Sequence, residues 1–302
     1  MKQSVRDFLL SLVVSVVIFA VAAFFLIAAA EGLMSDVVGG VRDPHAKQSS
    51  SVVQQTAEES EDGDKNATDS RVVSMLFVLM DDDHHADAIF LLGVNPEKES
   101  STMVMIPSNT VVSGAVTSCL GDLDAERQSG TLMKVVQEQV GINPKYYAAI
   151  SRDGFANWVD FMGGISFRVP QNMEDFDEAS NRRISLKEGD QQLSGDQVAQ
   201  FLAYTNYVGG SAARDNAILD FARAFSKAFL TPANLNNARN IYYNVSRHMF
   251  TTFEEKDFAT SGPSLFRFNE FSPNIKRIDG SAGASGYVIS TERVKPTFEI
   301  YQ

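Results

Sequence analysis

Residues 184–229 read ISLKEGDQQLSGDQVAQFLAYTNYVGGSAARDNAILDFARAFSKAF. Ile184 and Leu186 alternate with polar residues up to Gly189, the pattern of a half-buried strand entering a turn. Ser194 stands three residues before Gln197, so each side chain can satisfy a backbone N–H of the other, and this capping box predicts a helix start. Val198, Phe201 and Leu202 then fall on one helical face. Gly209-Gly210 breaks the run, and Ile218, Phe221, Ala222, Phe225 and Phe229 resume an apolar stripe. A strand, a capped helix, a glycine break and a second helix in that order point to an α/β fold.

The flanking sequence extends the pattern in both directions. Val72 to Met80 is too uniformly apolar for a surface strand and suits a central strand covered on both faces. Ala88–Val94 and Met103–Ile106 read as further strands. Gly130–Val140 reads as a helix, with Ser129 before it, an apolar stripe at Leu132, Val135, Val136 and Val140, and Gly141 behind it. Tyr146–Ile150 and Ile165–Val169 add two strands, the second pointing Ile165, Phe167 and Val169 inward and Ser166 and Arg168 outward. Thr231-Pro232 predicts another helix start, with Leu235, Ala238, Tyr242, Val245 and Met249 on its buried face. Asn274–Ile278 and Tyr287–Ser290, separated by the turn-forming Gly280-Ser281-Ala282-Gly283, are expected to complete the sheet. There is no internal repeat.

The first 70 residues are different in kind. Phe8 to Ala30 is apolar apart from Ser11 and Ser15, and as a helix it would span about 35 Å, enough to cross a hydrocarbon core of about 30 Å. Lys2 and Arg6 precede it and Glu31 and Asp36 follow, so the positive-inside bias puts the N-terminus in the cytoplasm and the rest outside. The competing reading is a cleaved signal peptide ending at Ala28-Ala29-Ala30. From Glu31 to Ser70 the chain is polar and acidic, with Glu58-Glu59-Ser60-Glu61-Asp62 at its centre, and reads as a flexible linker. The expected organisation is a cytoplasmic tail (1–7), a transmembrane anchor (8–30), a linker (31–70) and an extracytoplasmic domain (71–302). A formal net charge of −12 and a pI near 4.8 exclude nucleic acid as a partner, because phosphate backbones are held by clustered Lys and Arg. The single cysteine, Cys119, cannot form an intramolecular disulfide.

ISLKEGDQQLSGDQVAQFLAY, followed by a glycine-rich turn and a helix near Arg214, resembles the LytR-CpsA-Psr family of bacterial cell-envelope proteins. ADAIFLLGVNP around Asp87, MVMIPSNTVV, and INPKYYAAISRDGFANWVDFMGGISFRVP occur upstream in the order that family uses, and the resemblance covers about residues 70–302. It implies an α-β-α sandwich with a central mixed sheet, behind one N-terminal transmembrane helix. It also implies a deep apolar pocket for a polyprenyl pyrophosphate with arginines at its mouth, and a phosphotransferase moving a glycopolymer from that carrier onto peptidoglycan, with magnesium at the pyrophosphate. This chain departs from the pattern. The family's Arg-Ser-Asp-Thr is written here His85-Ala86-Asp87-Ala88, and its Pro-Arg-Asp-Thr is written Pro107-Ser108-Asn109-Thr110. Its paired arginines after the first helix fall on Thr205 and Tyr207, and the first arginine of the next turn falls near Ser211. Arg214 alone survives. Arginine offers phosphate a planar fork of donors, whereas Ser, Thr and Tyr offer one neutral hydroxyl each. Phosphoryl transfer depends on neutralising charge, so such a site loses rate before it loses shape.

By that resemblance Asp87 is the catalytic carboxylate and the magnesium ligand, and Arg214, Ser108 and Asn109 are the pyrophosphate-binding residues. Arg214, read at a helix beginning, could clamp one phosphate; Asn109 could offer an amide oxygen to a cation, and Ser108 one hydrogen bond. Asp81-Asp82-Asp83-His84-His85 looks like a metal site, but neighbours in an extended chain point alternate ways, so a solvated turn is the reading adopted. The phenylalanine stripes suit a lipid cavity or a filled core equally. No Gly-x-Ser-x-Gly, P-loop or Gly-x-Gly-x-x-Gly is present. Two functions remain open: a phosphotransferase with re-supplied charge, or a binder or regulator whose transfer activity is weakened or lost. Convergence of Arg152, Arg182 or Lys187 on Asp87 would favour the first.

Overall fold

The apolar run after Val72 forms β1 (Val73–Met80), near the middle of a six-stranded mixed sheet. A computed structural model describes residues 72–112, 119–178 and 181–301. The expected anchor at 8–30 and the linker to residue 70 lie outside the described residues. Among the described residues no helix is long and apolar enough to cross a membrane.

β1 is antiparallel to β2 (Ala86–Asn95) and parallel to β4 (Tyr146–Ser151), with Val78 opposite both Ile89 and Ala149. β3 (Ser100–Ile106) lies antiparallel to β2. The remaining strands of the chain are β5 (Ile165–Val169), β6 (Met173–Asp177), β7 (Arg182–Leu186), β8 (Gly189–Leu193), β9 (Met249–Thr251), β10 (Asn274–Arg277), β11 (Gly280–Gly283) and β12 (Gly286–Ile289). Two of these, β10 and β9, close the edges of the large sheet, giving the order β10-β3-β2-β1-β4-β9. Its strands are covered on both faces, which is why β1 and β2 are apolar without alternation.

One face is closed by α1 (Ser129–Val140) and by α6 (Thr291–Phe298) near the C-terminus. Leu132, Val135, Val136 and Val140 of α1 pack there with Leu76, Val78 and Met80 of β1, as the stripe predicted. The other face carries α2 (Arg152–Phe161), α3 (Gly195–Ala203), α4 (Gly210–Phe229) and α5 (Ala238–Val245). The capping box forms as read: Ser194 Oγ accepts from the Gln197 N–H at 3.3 Å, and Gln197 Oε1 accepts from the Ser194 N–H at 3.0 Å. Between α2 and α3 the chain makes two nested antiparallel pairs, β6 with β7 inside β5 with β8.

Three expectations are corrected. The helix expected from Thr231 through Met249 is broken: a short turn at Pro232–Leu235 is followed by α5, and Met249 opens β9. Asn234 turns its side-chain amide back onto the Phe229 carbonyl at 3.0 Å, so it caps α4 instead of continuing a helix. The glycine-rich 280–283 segment is itself strand β11, paired with β12 outside the large sheet; only β10 joins that sheet. Arg214 is not at a helix start, since α4 begins at Gly210. Arg152–Phe161 forms a further helix, with Ser151 Oγ accepting from the Gly154 N–H at 3.1 Å.

Candidate functional site

At the end of β1 the register with β2 slips: Leu79 pairs Ala88 and Met80 pairs Ala86, leaving Asp87 as the extra residue of a β-bulge. A bulge frees its residue from the ladder and re-aims its side chain. The Asp87 carboxylate is taken by two guanidiniums. Arg214 Nη2, from the second turn of α4, donates to Oδ1 at 2.7 Å, and Arg152 Nη2, from the first residue of α2, donates to Oδ2 at 3.2 Å. Arg152 Nη1 also donates to Asp82 Oδ2 at 2.8 Å and lies 3.7 Å from Asp177 Oδ2 at the end of β6. Arg214 Nη2 further donates to the Leu202 carbonyl at 3.3 Å.

The cluster is well shielded: the side chains of Arg152, Arg214 and Asp87 are 11%, 13% and 14% exposed. Burial pushes the Arg152 pKa down, but the carboxylates of Asp87, Asp82 and Asp177 outweigh it, so the net direction is up and the guanidinium stays charged. Two guanidiniums thus face three carboxylates. The Nε–H groups of Arg152 and Arg214 and the Tyr207 hydroxyl are buried with no partner. Burial drives the Tyr207 pKa up, with Arg214 opposing, which places the phenol within the field of that guanidinium and keeps it a neutral donor. Buried donors without acceptors are costly, and an anion among them would relieve that cost.

Beside the cluster the sheet and helices stand apart. Ala88, the residue after Asp87, and Leu202, whose carbonyl Arg214 holds, both line a wholly apolar cavity of about 120 Å³. Its walls are Met75, Phe77 and Leu79 of β1, Phe90 and Leu92 of β2, Phe155 and Trp158 of α2, and Ile218, Phe221, Ala222 and Phe225 of α4. A second apolar cavity of about 100 Å³ shares Met75, Phe77, Trp158, Leu230 and Leu265 with it and runs on to Tyr242, Val245 and Met249. The aromatic rings brace one another, Phe155 on Phe225 at 4.9 Å and Trp158 on Phe225 at 4.9 Å. Phe221 and Phe225 therefore line a void, whereas Phe201 is core.

Of the residues expected at the site, Asp87 and Arg214 come together. Ser108 and Asn109 are held by their backbone oxygens, which accept from the Gly121 and Tyr287 N–H groups at 2.7 and 2.9 Å, and they share no hydrogen bond with the Asp87 cluster among the described residues. Arg152 converges on Asp87, but Arg182 pairs with Asp153 and Asp196 and Lys187 is exposed. The acidic turn does not converge on one point: Asp81 Oδ1 accepts from the His85 N–H at 2.8 Å and shapes the turn, His84 faces Glu126, and Asp82 faces Arg152. A polar pocket of about 200 Å³ lined by Asp81, Asp82, Asp83, Arg152, Asp177 and Thr205 opens at the cluster. Asp82, Asp177 and Tyr207 were not expected as partners, since nothing local in sequence joins residues so far apart.

Magnesium, which the resemblance implies, fits this arrangement poorly. It needs oxygen ligands in an octahedron at about 2.0–2.1 Å, and both oxygens of Asp87 are already engaged by guanidiniums. Among the described residues no three carboxylate, imidazole or thiol groups lie at a spacing that would hold a metal ion.

A mixed sheet covered by helices on both faces, hollow on one of them and closed at the cavity's end by an arginine–aspartate cluster, defines the class as an α/β sandwich with an internal apolar pocket. The chain belongs to the LytR_cpsA_psr family, which it matches over residues 45–299. It is 31% identical over 123 residues to TagU of Halalkalibacterium halodurans, named polyisoprenyl-teichoic acid–peptidoglycan teichoic acid transferase, a match covering 37% of this chain and 40% of that protein. The matched stretch is thus well under half of that relative. The crystal structure of Bacillus subtilis TagV superposes with a TM-score of 0.59 at 19% identity, covering 78% of this chain and 98% of that one. A LytR-Csp2A-Psr enzyme from Actinomyces oris superposes with a TM-score of 0.56 at 18% identity, covering 77% and 90%. At these identities the structures speak for the fold alone.

Proposed function

We propose that this protein is an extracytoplasmic, membrane-anchored member of its family that shelters the lipid tail of a polyprenyl-phosphate-linked glycopolymer, with transfer to peptidoglycan weakened or lost. The cavity of about 120 Å³ carries the reading, because its lining is apolar throughout and includes Ala88, next to Asp87, and Leu202, whose carbonyl accepts from Arg214, so that it adjoins the cluster holding the buried Nε–H groups of Arg152 and Arg214. An isoprenoid chain needs the first, and a phosphate needs the second. Weakened transfer follows from charge: two guanidiniums set against Asp82, Asp87 and Asp177 leave little positive potential for a diphosphate. The name of the TagU relative supports the carrier and acceptor classes.

The test uses the full chain in detergent micelles. A long-chain polyprenyl phosphate is expected to bind at least about tenfold more tightly than the matching alcohol, while transfer of a lipid-linked glycopolymer to peptidoglycan runs about a hundredfold or more below that of a relative with the full arginine set. Equal binding of phosphate and alcohol removes the reading. The second reading, an active phosphotransferase, is favoured by the convergence of Arg152 on Asp87. Robust turnover abolished by Arg214→Ala establishes it over the first.

A further inference from the structure

Arg152 occupies an unusual position. It is one cation contacted by three carboxylates that arrive from separate elements: Asp82 from the turn after β1, Asp87 from the bulge in β2, and Asp177 from the end of β6. Carboxylates so gathered repel one another and require a positive charge between them. A divalent ion would meet that requirement with bonds of about 2 Å. Here it is met by a guanidinium, at 2.8, 3.2 and 3.7 Å. Its Nη groups donate to Asp82 and Asp87 and pair electrostatically with Asp177, while its Nε–H remains buried and without a partner.

We propose that Arg152 is a resident organic cation standing where a divalent metal would otherwise bridge the carboxylates to a bound phosphate, so that anion binding at this site proceeds without metal. Resting on the lipid-phosphate reading, the inference specifies how that head group is held: the two Nη groups neutralise the acids and the Nε–H faces the phosphate. Arg214 is the complementary half, holding the other oxygen of Asp87 and presenting its own unpartnered Nε–H. The arrangement also accounts for the three acids, which in a phosphate site would otherwise be repulsive. They preorganise the guanidinium, whose fixed fork loses little freedom on binding an anion.

The experiment has two arms on the full chain. In the first, Mn2+ binding is followed by electron paramagnetic resonance in the absence of lipid. The wild type is expected to bind Mn2+ at least about tenfold more weakly than Arg152→Gln or Arg152→Ala, in which the carboxylates, too far apart to hold an ion as they stand, are free to close on it. Adding Asp177→Asn to either variant should reverse most of that gain. Arg152→Gln keeps an amide donor toward Asp87, so it serves if Arg152→Ala does not fold, and a Mn2+-dependent rise in its melting temperature, absent from the wild type, gives an independent readout. Mn2+ binding by the wild type equal to that of the folded variants overturns the proposal. In the second arm a polyprenyl phosphate is titrated with excess chelator or with excess Mg2+. Wild-type affinity should be the same in both, while Arg152→Gln binds about tenfold more weakly in chelator and is restored by Mg2+. A tenfold Mg2+ enhancement in the wild type overturns the proposal. Should the wild type bind no lipid phosphate in either condition, the lipid reading falls while the Mn2+ arm still decides the role of Arg152.

Discussion

The two faces of the large sheet are built from the same strands and have opposite interiors. Along β1, Leu76, Val78 and Met80 point to the face covered by α1 and are at most about 1% exposed, packed among Leu132, Val136, Tyr147 and Phe298. Their neighbours Met75 and Phe77 point the other way and are only partly buried, because they border the cavity. The closed face is sealed where the Tyr301 ring lies over Gly93, so tightly that a Cβ at that position would sit 2.6 Å from the ring. On the open face, rigid rings on α2 and α4 prop the helices off the sheet instead of filling the gap. Aliphatic chains and rings interdigitate on the first face, whereas on the second the rings of Phe155, Phe221 and Phe225 pack on one another beside the hollow. The difference lies in the filling: one half is packed solid, and the other keeps a wholly apolar hollow within its core.

If that division is right, deletions on the closed face should cost most. Leu76→Ala is expected to destabilise by about 3 kcal/mol, and Met75→Ala, one residue away but facing the void, by about 1 kcal/mol, as read from urea denaturation. Equal costs would erase the contrast. Next in size, Arg214→Ala removes one of Asp87's two partners from a shielded cluster and should lower stability by about 2 kcal/mol, with a greater proportional loss of lipid-phosphate binding. Enlarging side chains sharpens the comparison from the other side. Ala149→Leu, on the closed face, should cost about 2 kcal/mol through overpacking. Ala222→Leu, on the cavity wall, should change stability by less than about 1 kcal/mol while cutting lipid-phosphate affinity about tenfold; a melting curve paired with a titration tests both.

The smallest effect concerns Asp215, on α4 next to Arg214. Burial pushes its pKa up, against the pull of Arg214 and Arg277, so the net direction is above the usual aspartate value. In the interval between the unfolded and folded values the folded chain holds more protons, and this residue's contribution to stability is lost as pH rises through that interval. Asp215→Asn should therefore stabilise by a few tenths of a kcal/mol at neutral pH, with the gain fading as pH falls through that same interval and absent below about 3.9. Stabilisation that persists at acid pH would point to a cause other than charge.

Much of this could be read from the chain, and the exceptions have physical reasons. The strand at 73–80, the helix over 129–140 and the capping box at Ser194 were legible because each is written within a few consecutive residues. The break at Asn234 was not, because the choice depends on a carbonyl five residues earlier being available to the side chain. At the site, Asp87 and Arg214 could be placed by motif. Arg152 could be named as a candidate but not distinguished from Arg182, since both follow or lie in strands and only the tertiary arrangement decides which reaches the bulge. The bulge was invisible, because period-two patterning has no mark for one extra residue inside an apolar run. Whether the phenylalanines filled a core or lined a space was equally hidden, since both leave the same alternation.

A propped-open interior of this kind has a mechanical consequence. Hydrostatic pressure favours whichever state occupies less volume, and unfilled space inside a folded protein is what compression removes. The half of the molecule around Phe77, Trp158 and Phe225 should therefore yield at pressures that leave the Leu76 side intact, and Trp158 fluorescence would report the collapse directly. A tenant in the hollow would act as an internal strut, so if the proposed polyprenyl phosphate binds there, the loaded protein should withstand compression that crushes it when empty.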